Sequence, residues 1–126
     1  MVASGTNLVD KDLGLSRRQR IVSSTLYQDV FDKGKTFSSK TLVMWLLKRK
    51  DAEQRLGVMA TRRTFRRAVD RNRAKRLLRE AFRLNRWRMT KKADVILMAR
   101  VKIRGAKRQD VERDLLNVFK YANVVD

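Results

Sequence analysis

The sequence has 126 residues, a length sufficient for one domain with a buried core. Its 32 Lys and Arg residues outnumber 13 Asp and Glu residues, which leaves a net charge of +19 and a pI near 11.5. The chain contains no His and no Cys, which excludes zinc knuckles, disulfides, thiol nucleophiles and catalysis by imidazole.

This positive excess predicts a polyanionic partner, because like charges on a folded domain repel one another until an anion neutralises them. Nucleic acid is the first expectation, and an anionic membrane surface is the alternative. The start of the chain lacks the basic and apolar segments of a signal peptide, and no apolar run reaches the ~20 residues of a membrane span. We therefore expect a soluble, intracellular protein.

The chain begins with a polar, aperiodic stretch over residues 1–15, which we predict to be a flexible tail ahead of a single domain over 16–126. A short basic arm, "SRRQR", leads into the first predicted helix, which ends at Gly34. This helix carries two adjacent apolar stripes, Leu26 with Val30 and Tyr27 with Phe31.

Three apolar segments, 41–49, 56–61 and 94–101, are predicted to be strands, and Thr36–Ser39 is a weaker candidate for another. The last segment repeats apolar residues at helical spacing over 109–122. Strand, basic helix and strand follow one another in the middle of the chain, so the two flanking strands are predicted to run parallel. The expected fold is an α/β (α+β) two-layer sandwich in the order α-β-β-β-α-β-α when the weaker strand is counted.

The segment "RRTFRRAVDRNRAKRLLREAFRLNR", residues 62–86, is predicted to be a helix with two unlike sides. On a helical wheel one side is apolar, with Ala74, Leu77, Leu78 and Ala81. The other side is basic and carries Asn72, Arg76, Arg79, Arg83 and Arg86, with Lys75 beside them. Steps of ~5 Å between these basic residues suit a run of phosphates, and the planar guanidinium groups of Arg bind phosphate oxygens in pairs.

The alternative interpretation of this segment is a solvated amphipathic helix. Such a face usually mixes charges of both signs, yet only Asp70 and Glu80 oppose the fourteen Lys and Arg residues of 62–92. Asp70 is expected in the first turn, where it is favourable against the helix dipole. Asn72 is either an RNA contact or a residue that bonds the backbone, and the sequence leaves both possibilities open.

The stretch "RAVDRNRAKRLLREAFR" resembles the "RNR" signature of the bacterial ribonuclease P protein subunit, with Arg71, Asn72 and Arg73 as the triplet. Three other stretches resemble the same family: "LYQDVFDKGK" its first helix and turn, "LGVMATRRTFRRAV" the strand and basic loop before the signature, and "DVILMARV" the apolar strand after it. The resemblance extends from about Ser16 to Ala122.

The resemblance implies that residues 16–126 form a single RNA-binding domain, whose arginine-rich helix lies in a left-handed βαβ crossover. It also implies a protein subunit of ribonuclease P that binds the catalytic RNA and assists removal of the 5′ leader from precursor tRNA in the bacterial cytoplasm. The protein would be a non-catalytic component of an endoribonuclease, with no catalytic or metal-binding residue and no cofactor of its own. Divalent metal (Mg²⁺) would be held mainly by the RNA.

Two binding surfaces follow from the resemblance. The surface toward the catalytic RNA would comprise Arg62, Arg63, Arg66, Arg67, Arg71, Asn72, Arg73, Lys75, Arg76, Arg79 and Arg83. The cleft for the single-stranded leader would comprise Tyr27, Phe31 and Trp45, on which bases stack, with Lys33 and Lys35 holding the backbone. Plain core packing is the alternative for the three aromatic residues, and packing is the prediction for Trp87.

Two classes of basic binding protein compete with this interpretation. A ribosomal protein fits the composition, whereas a DNA-binding protein would more often carry Asn or Gln base readers than a nearly all-Arg face. A metal-dependent nuclease acting alone is a third and poorer alternative, because the sequence shows no carboxylate cluster. A protein partner is not predicted from the sequence.

Overall fold

The computed structural model describes residues 24–49 and 54–125. The predicted tail over 1–15, the basic arm after it and most of the predicted turn at 51–55 lie outside the described residues. The helices and strands, in chain order, are α1 (Ser24–Lys33), β1 (Lys35–Ser38), β2 (Leu42–Lys48), β3 (Arg55–Met59), α2 (Ala68–Asn85), β4 (Ala93–Ala99) and α3 (Arg108–Tyr121). The order agrees with the prediction, and the weaker strand candidate is present as β1.

The four strands form one mixed sheet in the spatial order β1-β2-β4-β3. β2 runs antiparallel to both β1 and β4, with Trp45 opposite Ile96 and Thr36 opposite Trp45. β3 and β4 pair in parallel, with Gly57 opposite Ile96, as the strand-helix-strand order predicts. The left-handed sense of the β3–α2–β4 crossover stays a prediction from the resemblance.

One face of the sheet carries the main hydrophobic core beneath α2 and α3. Side chains alternate between the two faces of a strand, so Leu42, Met44 and Leu46 of β2 point to this side and are buried. Phe82 of α2 and Phe119 of α3 meet above them edge to face, with ring centroids 6.3 Å apart. The apolar side predicted for α2 is therefore the side that packs.

The second face of the sheet is covered in part by α1. Val30 of α1 and Ile96 of β4 are fully buried against each other, and Trp45 and Leu47 of β2 pack around them. The sequence analysis predicts two layers, and α1 adds a layer on the face that α2 and α3 leave open. Apolar residues on both faces of β2 are the physical reason, because each face needs a cover.

Two of the buried carboxylates hold elements of the fold together. Asp114 of α3 accepts hydrogen bonds from the Thr41 backbone N–H at 3.0 Å and from the Thr41 hydroxyl at 2.6 Å, which fixes α3 to the start of β2. Asp94 of β4 accepts two hydrogen bonds from Arg55 of β3, each at 2.8 Å, and one from Arg49 at 3.2 Å. The hydrogen bond to Asp94 raises the pKa of Arg55.

Replacing Asp94 with Ala is expected to lower the free energy of unfolding by about 2–4 kcal/mol, because the mostly buried Arg55 and the half-buried Arg49 would lose the counterion that they share. Urea denaturation would measure the loss. The matched control is Asp32→Ala, which removes an exposed carboxylate bonded to Gln28 within α1 and should change stability by less than ~0.5 kcal/mol. Equal losses in the two variants would contradict a special role for Asp94.

Among the helices that the structure describes, none is long and apolar enough to cross a membrane.

Candidate nucleic-acid interface

The basic loop between β3 and α2 is built around one buried aromatic residue. Phe65 is 1% exposed, and its backbone N–H donates to the Thr61 carbonyl at 2.9 Å, while the Thr61 and Thr64 hydroxyls lie 3.1 Å apart. With Phe65 anchored in the core, the basic residues on both sides of it are directed outward. The four exposed residues of this kind are Arg62, Arg63, Arg66 and Arg67.

Arg71 holds the same loop against the start of α2. Its Nη1 donates to the carbonyl oxygens of Phe65 at 3.0 Å and Arg66 at 2.9 Å. Asp70 lies in the first turn of α2, as predicted. The first arginine of the RNR triplet therefore shapes the surface that presents the neighbouring arginines.

Arg73 reaches the loop that connects β4 to α3. Its Nη2 donates to the Ala106 carbonyl at 2.9 Å and its Nη1 lies 3.5 Å from the Ile103 carbonyl. Gly105, between these two residues, has a φ of 78°, the left-handed conformation that glycine adopts without a steric cost. Asn72, between the two arginines, is exposed. The triplet thus combines two arginines bonded to backbone carbonyls with one amide that faces solvent.

Most of the remainder of α2 separates into the two predicted sides, but Arg86, predicted on the basic side, lies beyond the end of α2 and is half-buried. Ala74, Leu78 and Ala81 are almost completely buried, while Arg76 and Arg79 are exposed and Lys75 is half-buried. Arg83 is also half-buried, and its Nε donates to Glu80 at 3.1 Å. The basic ridge is defined here as the exposed cations of the loop and of α2: Arg62, Arg63, Arg66, Arg67, Arg76 and Arg79.

The aromatic cleft residues Tyr27, Phe31 and Trp45 come together on the face of the sheet that α1 covers. The Tyr27 and Phe31 ring centroids are 6.2 Å apart, and Phe31 meets Trp45 edge to face at 5.1 Å. All three are half-buried. They pack on the cluster of Val30 and Ile96 and still expose part of each side chain, so core packing and a solvent-facing surface are both present.

Gly57 of β3 provides the space for Tyr27. A Cβ at this position would lie 2.5 Å from the Tyr27 hydroxyl oxygen, closer than real Cβ contacts allow. Burial raises the pKa of the Tyr27 hydroxyl, and the positive charge of Arg79 acts in the opposite direction. Arg79 belongs to the basic ridge, so the electrostatic influence of one predicted surface extends to the other.

The two lysines predicted for the cleft lie apart from each other. Lys33 is exposed in the last turn of α1. Lys35 pairs with Leu46 in the sheet, and the side chains of cross-strand partners lie on the same face. The side chain of Lys35 therefore leaves the sheet on the face of the main core, opposite to the face that Tyr27 covers. On that face the pKa of Lys48 is lowered, chiefly by the positive charge of Lys91 and to a smaller extent by burial and by the positive charge of Lys35. The structure therefore does not bring Lys35 to the aromatic group.

A polar groove that the sequence analysis missed lies at the ends of β1, β2 and β4. Its lining residues are Ser38, Ser39, Lys40, Arg100 and Lys102. The Arg100 Nη1 donates to the Ser39 carbonyl at 2.9 Å across a sequence separation of 61 residues. Only the register of β2 against β4 brings these residues together, so no local signal marks the groove in the sequence.

The prediction for Trp87 is wrong. This residue is 67% exposed, and its indole N–H donates to the Leu84 carbonyl at 2.9 Å.

Within 24–49 and 54–125, no group of three or more Asp or Glu side chains is arranged to hold a metal ion.

Comparisons with known proteins agree with the fold. The family model described as "Ribonuclease P" matches residues 15–123. The chain belongs to the ribonuclease P protein family. The match to this family spans every helix and strand from α1 to α3, so the basic ridge and the aromatic cleft residues both lie within it.

Two bacterial relatives illustrate the similarity to the ribonuclease P protein family. The ribonuclease P protein component of Pelotomaculum thermopropionicum is 39% identical over 98 residues, which cover 78% of this chain and 87% of that protein. The corresponding protein of Clostridium acetobutylicum is 32% identical over 112 residues, covering 86% of this chain and 92% of that protein.

The fold is shared with a solved ribonuclease P protein. The Staphylococcus aureus RNase P protein superimposes with a TM-score of 0.74 at 26% identity, covering 86% of this chain and 98% of that one. The predicted α/β (α+β) fold class is therefore confirmed.

Proposed function

We propose that the chain is the protein subunit of a bacterial ribonuclease P, which binds a catalytic RNA and the 5′ leader of precursor tRNA and so assists endonucleolytic removal of the leader. The observation that carries the proposal is the presence of two unlike surfaces in one chain. A ridge of exposed guanidinium groups lies on α2 and the loop before it, and a half-buried aromatic group lies between α1 and the sheet. Phosphates fit the first surface and unpaired bases fit the second.

The basic ridge is proposed to bind the backbone of the catalytic RNA. The guanidinium groups of Arg71 and Arg73 donate hydrogen bonds to backbone carbonyls, and these bonds hold the loop, α2 and the segment before α3 in one arrangement. Arg67 and Arg76 stay exposed on that frame. Binding then requires little reordering of the protein, and less affinity is lost to conformational entropy.

The aromatic group is proposed to receive the leader. Tyr27 and Phe31 are one helical turn apart, and Trp45 extends the same surface onto the sheet. Stacking on aromatic rings tolerates any base, which suits a leader of variable sequence, at ~1–3 kcal/mol per base. Lys33, at the end of α1, is placed to meet a phosphate. Lys35 would reach the leader only around the edge of the sheet.

Hydrolysis of the phosphodiester bond is proposed to take place on the RNA subunit, with divalent metal held mainly by that RNA. The chain has no His and no Cys to serve as acid–base or thiolate groups. Its buried carboxylates Asp94 and Asp114 are engaged with Arg55, Arg49 and Thr41. The bacterial cytoplasm is the proposed location.

Reconstitution tests this function directly. The purified chain is mixed with a bacterial ribonuclease P RNA and a precursor tRNA at a magnesium concentration at which the RNA alone cleaves slowly. We expect the chain to accelerate cleavage at the mature 5′ end. A cleavage rate that is unchanged by the chain would favour the alternative of a ribosomal or other basic binding protein, and cleavage without the RNA would favour a nuclease.

The affinity for the catalytic RNA is expected to fall steeply with salt. If the basic ridge meets about six phosphates, counterion release gives a slope of about −4 to −5 in a plot of log affinity against log salt concentration. Filter binding or fluorescence anisotropy at several KCl concentrations measures the slope. A slope near zero would contradict the electrostatic account of binding.

A further inference from the structure

Trp87 is an exposed aromatic residue directly after the end of α2. It lies in the short 3-10 turn Arg86–Arg88 and is 67% exposed. Its indole N–H donates to the Leu84 carbonyl at 2.9 Å, so one edge of the ring is fixed to α2 while the ring itself stands in solvent. The basic ridge and the aromatic cleft residues do not include this residue.

Arg88 and Asn85 hold the ring in a defined position. The Arg88 guanidinium carbon lies over the Trp87 ring, 4.5 Å from its centroid. The Arg88 Nε donates to the Asn85 Oδ1 at 3.1 Å, and the buried Asn85 amide donates in turn to Ala81 at 2.8 Å and Glu112 at 3.0 Å. The ring is thus linked to α2 by its own hydrogen bond, and to α3 through the cation–π contact with Arg88 and the hydrogen bonds of Asn85.

Arg88 covers one face of the indole, so the 67% exposure leaves the opposite face as a flat apolar surface in water. The exposed cations that follow the ring in the sequence are Arg88, Lys91 and Lys92, whereas Arg83 is paired with Glu80. An apolar protein partner would have to approach these three positive charges, whereas a nucleic acid supplies both a ring to stack on the indole and phosphates to pair with the cations.

We infer that Trp87 is a stacking platform for an unpaired RNA base, with Arg88 and its basic neighbours holding the adjoining phosphate. The inference rests on the proposed RNA binding and adds a contact beyond the C-terminal end of α2. The base comes from the catalytic RNA or from precursor tRNA, and both sources offer the same chemistry. Stacking on the indole requires an aromatic ring at this position but not a charge.

Three substitutions separate stacking from bulk and charge. Trp87→Phe keeps an aromatic ring, Trp87→Leu keeps apolar bulk without a ring, and Tyr121→Leu is the matched control at another aromatic residue, 68% exposed. Dissociation constants are measured separately with a bacterial ribonuclease P RNA and with precursor tRNA bound to the RNA-saturated complex. With one of these ligands, Trp87→Leu should weaken binding by about 5- to 100-fold. Trp87→Phe should weaken binding by only about a few fold, and Tyr121→Leu should leave the dissociation constant unchanged.

The salt slope and the fluorescence give independent measurements. Trp87→Leu should leave the salt slope unchanged, because the substitution removes no charge. In a Trp45→Phe background Trp87 is the one remaining tryptophan, and its emission should be quenched when the RNA binds.

The inference is overturned if wild-type chain binds RNA while Trp87→Leu binds as tightly with both ligands, or if Trp87→Leu alters self-association or protein binding instead. Failure of the wild-type chain to bind RNA at all would overturn the proposed function as well, so the two failures are distinguishable.

Discussion

Removing Arg67 and Arg76 together is expected to weaken binding of a bacterial ribonuclease P RNA by about 10- to 100-fold. Both side chains are exposed, one just before α2 and the other in its middle. Because each loses a phosphate contact, the salt slope should become shallower by about 1.4–1.8. Stability should be nearly unchanged, since neither side chain is buried.

The control for this double variant removes the same amount of charge elsewhere. Arg113→Ala with Lys120→Ala takes two exposed cations from α3. If net charge alone attracted the RNA, both double variants would lose affinity equally, and the basic ridge would have no special role. A loss confined to Arg67 and Arg76 places the phosphates on the ridge. Anisotropy titrations at two salt concentrations, with urea denaturation of each variant, supply the comparison.

Arg73→Ala should behave differently from its neighbours on α2. Its guanidinium donates to the Ala106 carbonyl and approaches the Ile103 carbonyl, so its removal is expected to lower stability as well as RNA affinity. The RNR triplet is thus a structural element of the interface as well as a candidate contact. Substitution of the exposed Arg67 and Arg76 separates the effect on RNA affinity from the effect on stability, whereas substitution of Arg73 does not.

Local patterns in the sequence were sufficient to predict α2 and its two sides. The spacing of Ala74, Leu78 and Ala81 repeats every three or four residues, and a helix converts that spacing into one face without reference to the rest of the chain. The strands followed similarly from their apolar runs. The layer formed by α1 was not predicted, because it depends on how much of each sheet face α2 and α3 leave open.

Contacts between distant segments could not be predicted from spacing. Ser39 and Arg100 meet only because β2 pairs with β4 in one register, and a shift by one residue would turn every side chain of the shifted strand to the other face. The same dependence on register puts Lys35 on the face away from Tyr27. Trp87 was assigned to packing because it lies beyond the basic side of the predicted helix, and its exposure depends on where α2 ends.

Replacing Tyr27 with Ala is expected to reduce discrimination between leader-bearing precursor and mature tRNA by about 5- to 100-fold, because one base loses its aromatic partner. The half-buried ring also packs over Gly57, so some loss of stability accompanies the change. Tyr27→Phe separates the two effects, since it keeps the ring and removes only the hydroxyl.

The measurement is the ratio of the dissociation constants for mature and precursor tRNA, each determined with the chain bound to the catalytic RNA. Tyr27→Ala should lower this ratio, Tyr27→Phe should nearly preserve it, and Tyr121→Ala, at an exposed aromatic residue of α3, should have no effect on it. If Tyr27→Ala weakened the binding of both tRNAs equally, the ring would contribute to packing alone. A selective loss would place the leader on the aromatic group, separate from the catalytic RNA that the basic ridge is proposed to bind.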